Sequence, residues 1–298
     1  MARQNDVRLF GAIINQPKIQ KDSNGTPIRA AFNVAVIKNS RDIGEGDKEQ
    51  VRYDWPMVIT KDPDQCRLIS KFKLYDIVEI QGTFTTMKVG KDTYCKDCGT
   101  MNRVEGNICY VNPIFIKRRN PIRVRTREDG NEVKEATTMT EAEAIQEVKE
   151  NRAISNNVTI VGNLCNDVDY YKDDKTETAV YQLGIDRKFY IQQDDPKNRA
   201  DYPIVKTYGA KAKEASMCIH QGTLVMVEGY LHTRRFQRKS VCCGCQTPYE
   251  WTDNIIEIIP FATEYLHDYI DPEEAEKILA EKEAALNQQA MLDFLNHG

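Results

Sequence analysis

Hydrophobic and polar residues alternate along several short segments in the second half of the chain, and this pattern is typical of half-buried β-strands. It predicts strands over residues 157–164, 178–187, 201–208, 223–236 and 251–264. Between the third and fourth strands, residues 211–219 have the apolar spacing of a short helix. The order β-β-β-α-β-β, with Gly162 and Gly229 where strands bend, predicts a small closed Greek-key barrel of five strands.

The same pattern occurs twice in the chain. Residues 53–113 align without a gap to residues 200–260, at a constant offset of 147 positions. Asp54-Trp-Pro-Met-Val returns as Asp201-Tyr-Pro-Ile-Val. A period of this length is too long for a solenoid unit, so it predicts two copies of one domain.

Two segments differ in character from the repeats. Thr140 followed by Glu143 predicts a capping box for a helix that ends near Lys149. Beyond the second repeat, Asp271-Pro-Glu-Glu predicts the N-cap and first turn of a helix through about Leu295. We therefore predict a first domain at 1–123, a linker with a short helix at 124–153, a second domain at 154–269 and a C-terminal helix at 270–298.

Composition indicates where the protein resides and what its cysteines do. No apolar run approaches the roughly 18 residues of a membrane span and the first residues are polar, so we expect a soluble, cytoplasmic protein without a signal peptide. Nine cysteines in such a protein indicate metal ligands or reduced thiols before disulfides.

Charge is distributed unevenly along the chain. Residues 1–127 contain 23 Lys and Arg against 14 Asp and Glu, whereas the remainder contains 18 against 31. The basic part ends in residues 117–127, where cations alternate with apolar residues. Such a segment could lie along a phosphate backbone, or it could be a solvated strand end and linker.

Four segments of the second repeat together resemble the bacterial single-stranded DNA-binding protein (SSB) family. They are residues 157–164, 180–185, 202–209 and 222–236, and the most specific part is Val227-Glu-Gly-x-Leu-x-Thr-Arg234. The first repeat is a weaker match that gains weight from the internal repeat. The resemblance implies an all-β protein of two tandem OB-fold barrels, with a helical connector and a C-terminal helix, that binds single-stranded nucleic acid without strong sequence preference.

Aromatic and basic residues on the predicted strands are the candidate contacts to single-stranded DNA. Trp55 and Tyr202 occupy the matching position for a stacking aromatic, and Tyr208 and Phe236 fall on two further family positions. These aromatics could instead be core residues. The candidate phosphate contacts are Lys61, Lys88 and Lys91 in the first repeat and Arg234, Arg235, Arg238 and Lys239 in the second.

The hairpin between the last two strands contains a C-x-x-C motif in both repeats, which is a departure from the SSB pattern. This spacing suits zinc, but a structural zinc site needs four ligands and each hairpin supplies two in register. Either the repeats share one structural zinc site through Cys95, Cys98, Cys242 and Cys245, or each completes its own site with Cys109 or Cys243 and another donor. A third alternative is that the cysteines hold no metal. Cys66, Cys165 and Cys218 are expected to pack as small buried hydrophobes.

The sequence contains no constellation of catalytic residues, because the four histidines are scattered and there is no glycine-rich phosphate loop. We therefore expect a non-enzymatic protein that coats single-stranded DNA in replication, recombination or mobile-element transfer. The main alternatives are a tandem-OB, zinc-stabilised scaffold in a replication or transcription complex, and an RNA-binding protein. The family resemblance further implies a homodimer with four barrels and, as possible partners, replication or recombination proteins.

Overall fold

The structure, a computed structural model, describes residues 4–38, 52–126, 132–187 and 199–297. The first repeat consists of β1 (Asn5–Ile13), β2 (Lys18–Lys21), β3 (Pro27–Ile37), β4 (Tyr53–Asp54), β5 (Met57–Thr60), α1 (Pro63–Ile69), β6 (Ile77–Tyr94) and β7 (Met101–Arg118). The connector contains β8 (Ile122–Thr126), β9 (Glu132–Ala136), α2 (Glu141–Glu150) and α3 (Arg152–Ser155). The second repeat consists of β10 (Asn156–Leu164), β11 (Asp169–Lys172), β12 (Glu177–Asp186), β13 (Ala200–Asp201), β14 (Ile204–Tyr208), α4 (Ala210–Cys218), β15 (Leu224–Val241) and β16 (Pro248–His267), and α5 (Pro272–His297) follows it.

Each repeat closes into a five-stranded barrel. In the first repeat, β6 pairs with β1 and β7, β5 pairs with β7 and β3, and β3 pairs with β1 to close the ring. Strands β10, β15, β16, β14 and β12 make the equivalent pairings in the second repeat. The predicted all-β fold of two tandem OB-fold barrels with a C-terminal helix is confirmed.

The two barrels join through their first strands. Strand β1 pairs antiparallel with β10, so that Val7 lies opposite Val158 and Asn5 lies opposite Ile160. Val7 and Val158 are equivalent residues of the two repeats, and an approximate two-fold axis therefore passes between them. This pairing makes one continuous sheet from both repeats.

Alternating burial along the strands explains why the hydrophobic pattern predicts them. Every second residue from Ala30 to Val36 in β3 is buried, and the barrel interiors are filled by large side chains such as Phe32, Phe84 and Leu231. Helices α1 and α4 cover the barrels with Cys66 and Cys218, both fully buried as predicted, whereas Cys165 is half-buried.

Strands β6 and β15 bend where each leaves its barrel to form a long hairpin. The pairing register shifts at Gly82 in β6 and at Gly229 in β15. A Cβ atom on either glycine would collide with a backbone carbonyl, that of Asn112 or Ile259 respectively. The missing side chain thus lets a single strand serve both the barrel and the protruding hairpin.

The connector and the C-terminal segment contain the predicted helices. Helix α2 begins at the predicted capping box, in which Thr140 and Glu143 exchange hydrogen bonds, and it packs Ala144 and Val148 on the first barrel. Strands β8 and β9 form a small hairpin that the sequence pattern does not predict. In α5, Ala275 is buried. None of the described helices is long and apolar enough to cross a membrane.

Candidate nucleic-acid interface and cysteine cluster

The long hairpin of each repeat reaches across to the barrel of the other repeat. The backbone N–H of Trp55 donates to Oγ1 of Thr233 at 3.2 Å, and the backbone N–H of Tyr202 donates to Oγ1 of Thr86 at 3.0 Å. These contacts are equivalent, because both pairs are related by the repeat offset. The approximate two-fold symmetry therefore extends from β1 and β10 to the hairpins.

A buried carboxylate supports each of these contacts. Asp201 Oδ1 accepts from the backbone N–H of Thr86 at 2.8 Å, and Asp54 Oδ1 accepts from the backbone N–H of Thr233 at 2.8 Å. Burial raises the pKa of Asp201, although the Arg187 guanidinium lies 2.9 Å from it and opposes that rise. The two carboxylates differ in their side-chain partner, since Asp201 pairs with Arg187 whereas Asp54 Oδ1 lies 2.8 Å from Nδ1 of His232.

Two equivalent clefts lie where the hairpins meet the barrels. The first cleft is lined by Trp55, which is 41% exposed, together with Lys91 of the first repeat's hairpin and Arg235 of the second repeat's hairpin. The second cleft is lined by Tyr202, which is 48% exposed, together with Arg238 of the second repeat's hairpin and Lys88 of the first repeat's hairpin. Each cleft thus combines an exposed ring of one repeat with one cation from each repeat.

Most of the predicted hairpin cations already have an acidic partner. Lys91 and Arg238 both pair with the buried carboxylate of Asp253. Arg234 pairs with Glu257 at 2.7 Å, and Lys239 lies 3.8 Å from Glu250. Lys88 and Arg235 differ from these, because neither forms an ion pair with any residue that the structure describes.

The remaining predicted contacts divide between the clefts and other surfaces. Phe236 lines the second cleft, and the guanidinium carbons of Arg234 and Arg238 are each 5.1 Å from its ring centroid. Tyr208 and Lys61, which are equivalent in the repeats, are exposed but line neither cleft. Of the predicted hairpin residues, the structure thus brings five into the clefts with Trp55 or Tyr202, namely Lys88, Lys91, Arg235, Phe236 and Arg238. Arg234, Lys239, Tyr208 and Lys61 line neither cleft.

The basic segment 117–127 lies partly on the first barrel. Arg118 is 3.5 Å from Asp76, and Arg119 Nε donates to Glu79 at 2.6 Å. Arg127 falls outside the described residues. At these two positions the arginines pair with carboxylates of the first barrel.

A residue that the sequence pattern did not identify also lines the first cleft. Trp251 of β16 is 9% exposed, and its Nε1 donates to Oγ of Ser240 at 3.1 Å. Lys91 and Arg238 each lie 5.9 Å from its ring. Comparison of the repeats does not identify Trp251 as a site residue, because the equivalent position in the first repeat is Val104, which is not aromatic.

The tips of the two hairpins meet at the four predicted cysteines. Cys95, Cys98, Cys242 and Cys245 lie with all their Sγ atoms within 4.8 Å of one another, so they could hold a metal ion. The Sγ atoms of Cys98 and Cys242 are 3.5 Å apart, and those of Cys95 and Cys245 are 3.7 Å apart. Cys109 lines the clefts and Cys243 Sγ faces the Met101 carbonyl, so neither belongs to this cluster.

Tight turns present the thiols of each hairpin on one side. The turns close through bonds from Gly99 N–H to the Cys95 carbonyl at 2.9 Å and from Gln246 N–H to the Cys242 carbonyl at 3.0 Å. Gly99 and Gln246 are equivalent, and both have a positive φ. Beneath the turns, Cys95 and Cys242 pack against Tyr249 and Trp251.

The environment of the cluster favours the thiolate at some of its sulfurs. Hydrogen bonds from the backbone N–H groups of Cys245 and Gly244 lower the pKa of Cys242 to about 6, against the effect of burial. Hydrogen bonds from Thr100 lower the pKa of Cys98. At Cys95, a hydrogen bond from the Cys98 backbone N–H lowers the pKa, but burial and hydrogen bonds with the neighbouring thiols outweigh it. The pKa of Cys95 therefore rises to about 11. Thiolates are the form that binds metal.

Comparison with known proteins finds relatives of the second repeat. Residues 155–243 match the model of the single-strand binding protein family. A single-stranded DNA-binding protein of Staphylococcus epidermidis is 25% identical over 84 residues, which are 28% of this chain and 63% of that protein. One from Clostridium tetani is 31% identical over 86 residues, 28% of this chain and 57% of that protein. The chain thus spans less than two thirds of the length of either relative.

A solved structure extends the similarity of fold to both repeats. The wild-type single-stranded DNA binding protein from Thermus aquaticus superimposes with a TM-score of 0.57 and 15% identity, over 90% of this chain and 95% of that one. At this identity the likeness shows a shared fold. The predicted resemblance to the single-strand binding protein family is confirmed over residues 155–243, which match the model of that family.

Proposed function

We propose that this chain binds single-stranded DNA through both barrels and coats it with little sequence specificity, in replication, recombination or mobile-element transfer. The observation that carries the proposal is the pair of equivalent clefts, each lined by a half-exposed ring and by a cation that has no ion-pair partner among the described residues. Unpaired bases stack on such rings for about 1 to 3 kcal/mol each, and cations contact the phosphates. Both curated relatives are named single-stranded DNA-binding proteins.

Titration with oligo(dT) of several lengths at two salt concentrations tests this proposal. Because phosphate contacts release counterions, log affinity should fall linearly with log salt. A DNA duplex of the same length should compete weakly, since its bases are stacked inside the helix. Absence of binding at low salt would contradict the proposal, and tighter binding to oligo(U) than to oligo(dT) would reassign the ligand to RNA.

We propose further that the four clustered thiolates hold one structural zinc ion between the hairpins. Four sulfurs at mutual distances within 4.8 Å suit tetrahedral ligation with metal–sulfur distances of about 2.3 Å. Because two ligands come from each repeat, the metal would fix the hairpins relative to each other and so maintain both clefts.

The assembly of the protein stays a prediction. A homodimer would present four barrels on one particle, as the family resemblance implies. Multi-angle light scattering of the purified chain, whose monomer has a mass of 34.2 kDa, distinguishes the two states.

A further inference from the structure

The two clefts are each built from both repeats. In the first cleft, Trp55 belongs to the first repeat, whereas Thr233 and Arg235 belong to the second. In the second cleft the roles are exchanged, because Tyr202 belongs to the second repeat and Lys88 to the first. Lys88 and Arg235 are equivalent residues, so this exchange follows the approximate two-fold symmetry of the chain.

Cations from the same repeat as the exposed ring are already neutralised. Lys91 in the first cleft and Arg238 in the second share the carboxylate of Asp253, whose side chain is 4% exposed. If either cation turned to a phosphate, it would weaken the compensation of a buried charge, and removing a partner from such a charge is costly. These two cations are therefore poorly placed to supply the main phosphate contacts.

Cations from the opposite repeat carry no such restraint. Lys88 and Arg235 are both exposed, and within the described parts of the chain neither has an ion-pair partner. Arg235 follows Thr233 by two residues on the same face of β15, which is roughly 6 to 7 Å along the strand. Because Thr233 Oγ1 accepts from the Trp55 backbone, Arg235 projects from the face of β15 that meets Trp55, and both residues line the first cleft.

We propose that a single strand in either cleft is held by both repeats at once. A base stacks on the ring of one repeat, Trp55 or Tyr202, and an adjacent phosphate contacts the cation of the other repeat, Arg235 or Lys88. This inference rests on the proposed function and adds that neither repeat presents a complete binding surface. The affinity for single-stranded DNA would therefore depend on how the two hairpins are held relative to each other.

Double-mutant cycles in the full chain test this arrangement. The variants are Trp55→Ala, Tyr202→Ala, Lys88→Gln and Arg235→Gln, combined pairwise, with oligo(dT) affinity as the measurement and circular dichroism as the check of folding. Each aromatic variant should weaken binding roughly 5- to 150-fold. In the pairs that join repeats, Trp55 with Arg235 and Tyr202 with Lys88, the double variant should lose at least about threefold less than the product of the single losses.

The pairs within one repeat, Trp55 with Lys88 and Tyr202 with Arg235, are the matched controls. They contain the same four substitutions but join different clefts, so their effects should multiply. Coupling confined to these control pairs, or simple multiplication in all four pairs, would overturn the inference while leaving the proposed function intact. If the unmodified chain does not bind oligo(dT), both fail together. The two clefts give independent cycles, so one variant that does not fold still leaves the other cycle decisive.

Discussion

Trp55 and Thr233 belong to different repeats, yet the backbone N–H of Trp55 donates to Oγ1 of Thr233 at 3.2 Å. Tyr202 and Thr86 make the equivalent contact at 3.0 Å. Since both contacts involve the backbone of a residue with an exposed ring, they fix where each ring lies relative to the opposite hairpin. Contact between the repeats is therefore part of the proposed binding surface.

Salt dependence should identify which cations contact phosphates. Replacing Lys88 and Arg235 together with glutamine should flatten the plot of log affinity against log salt by roughly 0.7 for each lost contact. Lys61→Gln is the matched control, because Lys61 is also an exposed cation but lines neither cleft. The sequence predicts Lys61 as a contact, so a flatter slope in Lys61→Gln alone would favour that prediction over the clefts.

Asp201→Ala should be strongly destabilising. The substitution leaves the Arg187 guanidinium, 3% exposed, without its carboxylate, and removes the acceptor for the Thr86 N–H at the junction of the repeats. Loss of one partner from a buried pair costs about 3 to 5 kcal/mol of unfolding free energy, measured by urea denaturation. Glu250→Ala serves as the control, because its pair with Lys239 is exposed and should change stability by less than about 1 kcal/mol. Equal effects would show that the junction contributes little to folding.

Metal analysis should find one zinc per chain in protein purified without a chelator. Cys98→Ser removes one of the four clustered ligands and should release the metal, as should Cys245→Ser. Cys243→Ser is a neighbouring control that should retain it, because Cys243 lies outside the cluster.

Other stoichiometries have distinct meanings. Two zinc ions per chain would favour separate sites in the two hairpins and would contradict the shared site. No zinc, with the exposed thiols of Cys98 and Cys245 reacting freely in the folded chain, would leave the C-x-x-C motifs without a metal role.

The barrels could be predicted from the sequence because their signals are local. Alternating residues such as Ala30, Phe32 and Val34 predict strands, and the constant repeat offset shows that the second pattern is a copy of the first. The hairpin of β8 and β9 was not predicted, because the residues after Thr126 are mostly polar and charged and indicate a linker. The structure pairs β8 with β9 from Ile122 opposite Ala136 to Thr126 opposite Glu132.

The composition of the site could be predicted only in part. Equal spacing of the C-x-x-C motifs allowed a shared cluster, but the choice among alternatives depends on the pairing of β1 with β10, which no local pattern specifies. Comparison of the repeats also does not predict that Asp253 neutralises Lys91 and Arg238, because the equivalent residue in the first repeat is Gly106. Contacts between repeats are set by the two-fold arrangement, and the sequence pattern describes each repeat separately.

Tryptophan fluorescence tests the central claim most directly, because the chain contains two tryptophans and both line the first cleft. Trp55 is 41% exposed, whereas Trp251 is 9% exposed and therefore shielded from a bound base. Addition of oligo(dT) should quench the fluorescence of the unmodified chain and of Trp251→Phe, and most of the quenching should disappear in Trp55→Phe. A saturating titration that leaves Trp55 fluorescence unchanged in the folded Trp251→Phe variant would contradict the account.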